Sequence, residues 1–158
     1  MLVMPESRCC VVRSRAAIRS SYRAEVARYV IDARTLLHIV ADDVAVSPAH
    51  QLVAPNLIRS QALSLLLAAV RGGEITEEVA LHRHERLTEI KMRLLGDRVS
   101  RRTAWRIARE HGWETTFDAE YLAVCKLQAD ALITIDQTLA AKAAHIVPLA
   151  TVTALGED

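Results

Sequence analysis

The chain has 158 residues, 51% of them apolar and 25% charged, with a net charge of +1. That length and apolar content fit one globular domain with a real core and exclude a disordered chain. No window reaches the roughly 18 uninterrupted apolar residues a membrane span needs, and Arg13 and Arg15 cut short the apolar run near the start, so neither a span nor a signal peptide is expected and the expected location is cytoplasmic.

The first twenty-odd residues carry arginines at 8, 13, 15, 19 and 23 with weak apolar periodicity, so residues 1–26 read as a basic N-terminal extension, flexible or loosely docked. Cys9 and Cys10 fall in it, and with Cys125 they show no CxxC spacing, which leaves ordinary reduced thiols. "RYVIDA" is a short β-branched run ending on Asp32 and suits a buried strand; "ARTLLHIVADD" after it has helical spacing. "APNLIRSQALSLLLAAVRGG" places Pro55 where a first helical turn tolerates it and is apolar nearly all round, so a central, well-buried helix ending at Gly72-Gly73 is expected.

"ITEEVALHRHERLTEIKMRLLG" reads as one helix from a Thr76 cap to near Gly96, and "SRRTAWRIAREHG" as another from Ser100 to Gly112. Together they suggest a helical insertion over about 74–112 in a domain spanning 27–158. His82 and His84 in the first of these helices point to nearly opposite sides and do not chelate one ion together. A helix from Asp118 to about Gln128 follows, then the apolar strand 131–135 running into Asp136, another helix, and the short strand "HIVPLA". Short apolar strands separated by helices argue for an α/β fold, a central parallel sheet covered on both faces.

In such open sheets the ligand site lies outside the carboxyl ends of the strands, and Asp32 and Asp136 both occupy that edge. Asp118 could lie on either side of the sheet. Each aspartate has an ordinary role available as a helix cap. Gathered in one pocket they are costly: at ~5 Å and an effective dielectric of ~20, each like-charged pair repels by roughly 3 kcal/mol. A hard divalent cation, Mg²⁺ or Mn²⁺, offsets such repulsion and can acidify a water for attack on a phosphodiester.

Charge is unevenly spread. Residues 83–109 hold nine Lys/Arg against Glu85, Glu89 and Asp97, a stretch that suits RNA phosphates, an acidic partner or a solvated face. Arg98, Arg101 and Arg102 are its candidate RNA contacts. Trp105 and Trp113 near its end are read as packing residues.

"YVIDA", "VAPNLIRSQAL", "TTFDAEYLAV" and "ALITIDQTLA", in that order, resemble the PIN domain of bacterial VapC-type toxins, from about Tyr29 to Leu149. The resemblance implies a PIN-like three-layer α/β/α fold and an acidic pocket binding Mg²⁺ or Mn²⁺. It also implies metal-dependent RNA hydrolysis, often by a homodimer that a small antitoxin restrains. By matching positions, Asp32, Asp118 and Asp136 correspond to family acids and Thr134 to the supporting hydroxyl. Two departures stand out. Gln61 occupies the place of the usual glutamate and removes one negative charge, which supports an alternative reading, a weakened protein that binds RNA or a partner without cutting. Arg34 stands where small hydroxyl residues are common and suits a phosphate contact or solvent; Asp97 is a candidate to restore the missing acid. A phosphoacceptor receiver-like domain also gathers aspartates at strand ends, but "HIVPLATVTAL" lacks the lysine it needs.

Overall fold

The computed structural model describes residues 26–157, so the N-terminal extension, apart from Val26, and with it Cys9 and Cys10, lies outside the described residues. Five strands form one all-parallel sheet: β1 (Arg28–Ile31), β2 (Gln51–Pro55), β3 (Arg93–Leu95), β4 (Ala131–Ile133) and β5 (Leu149–Ala150), in the order β3-β2-β1-β4-β5. Val30, Ile31, Val53, Ala54, Leu132 and Ile133 are buried on this sheet. Continuous apolar runs are what a sheet covered on both faces requires.

Six helices supply the cover: α1 (Ala33–Ala41), α2 (Ile58–Arg71), α3 (Glu77–Glu89), α4 (Arg98–Glu110), α5 (Phe117–Gln128) and α6 (Gln137–Ala143). Right-handed crossovers dictate which face each takes. The chain moves from β1 through β2 to β3, so α1, α2 and α3 share one face and pack on one another. It then crosses to β4 and β5 in the opposite direction, which puts α4, α5 and α6 on the other face. There α5 lies across β1, β2 and β4, burying Ala119, Tyr121, Leu122, Ala123, Val124 and Cys125, with α4 packed on its flank. The resulting architecture is the expected three-layer α/β/α. Burial pushes the Cys125 thiol up to about 11, with Asp130 adding to the effect, so this free cysteine is inert at neutral pH.

Three local expectations are corrected. Pro55 ends strand β2, opposite Leu95, rather than opening a helix, and α2 begins only at Ile58. A strand of three buried apolar residues, Leu52-Val53-Ala54, has no period that separates it from a helix start. Residues 74–112 are not wholly helical: α3 stops at Glu89, and Lys91-Met92-Arg93-Leu94 alternates exposed and half-buried positions into the edge strand β3. Helix α2 is also less buried than its apolar content suggests, since only Ile58, Ala62 and Leu66 are buried while Leu63 and Leu67 are exposed.

The chain reverses direction across the sheet between β1 and β4. The carboxyl ends of these neighbouring strands frame the crevice where a ligand site belongs in such folds.

Candidate functional site

Asp32 follows β1 directly and caps α1, its Oδ1 accepting the Thr35 N–H at 3.2 Å and the Thr35 hydroxyl. The same hydroxyl oxygen accepts the Ile135 N–H at 3.1 Å, so one fully buried threonine ties the end of β1 to the turn after β4. In that turn Thr134 Oγ1 accepts the Asp136 N–H at 3.0 Å. Asp136 in turn caps α6, its Oδ1 accepting from Thr138 N–H at 2.8 Å and Leu139 N–H at 3.2 Å. Both strand-end aspartates are therefore helix caps, and each caps through Oδ1.

Asp118 lies in the first turn of α5. A right-handed crossover helix runs antiparallel to the strands, so its start falls at their carboxyl edge. That settles the side of the sheet: Asp32, Asp118 and Asp136 line one cavity of about 260 Å³ with Arg34, Gln61, Ser64 and Tyr121. An open groove of about 630 Å³ shares Arg34, Leu65 and Asp136 with it, leading away along α1 and the end of α2.

Two cations of the chain itself reach these acids. Arg34 Nε sits 3.0 Å from Asp136 Oδ2, and Lys142 Nζ 2.5 Å from Asp118 Oδ2. Lys142, in the last turn of α6, also lies 5.1 Å from the centre of the Trp113 ring, which is itself stacked on His111. Three carboxylates against two cations leave the pocket with a net charge of about −1, and the pairs offset the mutual repulsion of the acids. With Asp118 and Asp136 so engaged, no group of three His, Cys, Asp or Glu among the described residues stands assembled as a metal-ligand set.

The donor set nonetheless suits a hard cation in kind, since three carboxylates and the Gln61 carboxamide all offer oxygen. Neither Asp32 Oδ2 nor Asp118 Oδ1 receives a hydrogen bond among the described residues. Gln61 does look inward, as its helical position implies, and its Oε1 accepts the Tyr121 hydroxyl at 2.7 Å. Burial, with the nearby Asp32 charge next in weight, holds the Tyr121 phenol far above its ordinary value, so it stays protonated and donates.

Asp97 does not line the cavity. It caps α4 at the end of β3, two strands from β1, with Oδ1 accepting the Ser100 N–H at 2.7 Å. Nor do Arg98, Arg101 and Arg102 line it; they are exposed on α4. Tyr121 and Lys142 are the site residues the sequence reading missed. Tyr121 sits three positions after Asp118 and so shares its face of α5; for Lys142 the only signal is that it closes the helix Asp136 opens.

No family model matches the chain, and no curated protein matches it. Among solved structures it resembles the crystal structure of PAE2754 from Pyrobaculum aerophilum, with a TM-score of 0.62 and 22% sequence identity over 82% of this chain and 94% of that one. The fold is shared. At this identity the likeness carries no activity from one protein to the other.

Two outcomes are expected from this geometry. Thr35→Val keeps the shape but leaves the Ile135 N–H unpaired and Asp32 short of a donor, and is expected to lower stability by about 2 kcal/mol in urea unfolding. The Ser100 N–H and hydroxyl hold the Asp97 carboxyl below the usual carboxylate range, so the cap stabilises α4 above that range and loses its effect as pH falls through the lowered value. Asp97→Ala should accordingly unfold at lower urea than wild type at neutral pH, with the gap closing in acid.

Proposed function

We propose that the protein is a divalent-metal-dependent endoribonuclease of the PIN type, the toxin of a toxin-antitoxin pair. The observation that carries this reading is the convergence of Asp32, Asp118 and Asp136 on one cavity at the switch point of the sheet. The resemblance of the segments around all three aspartates to VapC-type toxins supports it. On this reading the protein acts on RNA in the cytoplasm, is restrained by a small antitoxin, and pairs as a homodimer, for which the exposed Leu63 and Leu67 offer apolar surface. Among the described residues no helix is long and apolar enough to cross a membrane.

Asp32, Asp118 and Asp136 would hold Mg²⁺ or Mn²⁺, which when bound supplies charge neutralisation at a phosphoryl group and an acidified water. The chain's own residues do the rest. Thr35 and Thr134 set the spacing of Asp32 and Asp136. Tyr121 fixes the Gln61 carboxamide at the pocket by donating to its oxygen. Arg34 and Lys142, at the pocket rim, carry the positive charge a phosphodiester requires as it approaches.

A second reading is favoured by Gln61 and by the two ion pairs: a weakened PIN protein that binds RNA or a partner without cutting. Gln61 brings an oxygen without a charge, and every added charge in such a site tightens the metal.

The deciding experiment is cleavage of a mixed single-stranded RNA pool with Mg²⁺, Mn²⁺ or EDTA, beside Asp136→Asn. Metal-dependent cutting by wild type and none by the variant is expected; wild type as inert as the variant with both metals selects the second reading. The variant should fold, because asparagine keeps an acceptor for the Thr138 and Leu139 N–H groups. What it loses is the half-exposed Arg34 pair, worth on the order of 0–1 kcal/mol. Gln61→Glu is expected to bind Mn²⁺ on the order of tenfold more tightly in calorimetry.

A further inference from the structure

Helix α4 has two unlike faces. Ser100, Thr103, Ala104, Ile107 and Ala108 turn inward, chiefly against α5. At about 100° per residue, Arg101, Trp105, Arg98, Arg109, Arg102 and Arg106 follow one another in that order round an outer arc of about 140°. Trp105 is 66% exposed, so it is not the packing residue the sequence suggested. The indole has Arg101 on one side and Arg98, Arg102 and Arg109 on the other.

No arginine of this face forms a salt bridge with a described residue. Arg101 acts on the carboxylate of Glu120, whose burial raises it while the Arg101 charge draws it back. A solvated face accounts for scattered arginines. It does not account for like charges repeated at helical spacing, which weaken a helix, nor for an indole among them that forgoes the burial a tryptophan ordinarily contributes. Unpaired bases between phosphates match both features: an aromatic plane to stack on and guanidinium groups on either side. An acidic protein segment would match the charge and leave the indole unexplained.

The face also begins in a useful place. Asp97 caps α4 straight after β3, so the helix starts at the sheet edge that carries the acidic pocket. Arg101 shares a small recess with Glu120, two residues from Asp118 on the first turn of α5.

We propose that the outer face of α4 docks single-stranded RNA, with Trp105 stacking on a base and Arg98, Arg101, Arg102 and Arg109 holding the flanking phosphates. RNA as the ligand rests on the ribonuclease reading, but the surface is tested without the acidic pocket. The full chain, kept in EDTA, is titrated into fluorescein-labelled oligouridylate by anisotropy over a series of salt concentrations. Trp105→Ala is expected to weaken binding about tenfold with the salt dependence unchanged, and Trp105→Phe to recover most of the loss. Arg102→Ala should lower the slope of log affinity against log salt by about 0.7.

Undetectable binding by wild type, or unaltered binding by both Trp105→Ala and Arg102→Ala, would overturn the proposal. Tighter binding of oligothymidylate than of oligouridylate would overturn the assignment to RNA. Polyglutamate bound as tightly as oligouridylate and indifferent to Trp105→Ala would mark the face as a site for an acidic protein segment instead. Since no metal is present, these results stand apart from the cleavage test: a failed cleavage reading leaves them valid, and a failed docking result leaves the acidic pocket intact.

Discussion

The Thr35 hydroxyl is the smallest part on which the acidic pocket depends. It donates to Asp32 and accepts from the backbone of Ile135, so the end of β1 and the turn after β4 are held at a distance set by one oxygen atom. Strand pairing alone fixes the neighbours Ile31 and Ile133. Beyond them the chain leaves the sheet in two directions, into α1 and into α6, and this buried bridge, with the more exposed Arg34–Asp136 pair, keeps the two caps in register. A buried hydroxyl that satisfies a donor and an acceptor at once has a geometry no apolar side chain reproduces.

Much of this was legible in the sequence, for a reason that concerns period and chain direction. Asp32 and Asp136 end apolar runs too short for helices, and parallel strands bring such ends to one edge. Asp118 was ambiguous from spacing alone and became fixed once the crossover's hand was known. The strands β2 and β3 escaped because Leu52-Val53-Ala54 has no period of its own, and Met92-Leu94 alternates for too few residues beside a strong helix pattern. Trp105 was misread because bulk alone predicts burial, whereas its spacing from Arg101, Arg102 and Arg109 puts it outside. Pairings across the fold, Tyr121 to Gln61 and Lys142 to Asp118, are separated by 60 and 24 residues and leave no local signature.

The molecule separates its charges. Acids collect where β1 and β4 end and where α5 starts, and arginines collect on the outer face of α4, whose inner face supplies part of the wall behind α5. Neither cluster is needed to build the sheet, whose buried residues are apolar. Helix N-termini beside the carboxylates add a favourable field at the caps. The two clusters thus sit on a scaffold that would tolerate changes in either.

Lys142 and Arg34 give the pocket a property of a different kind. Proteins that gather carboxylates for an ion often need that ion to fold, because the empty site is held apart by its own repulsion. Here two cations from the chain stand in, one of them braced over an indole ring. The fold can therefore close around three carboxylates with no ion present, because the chain carries its own counter-charges.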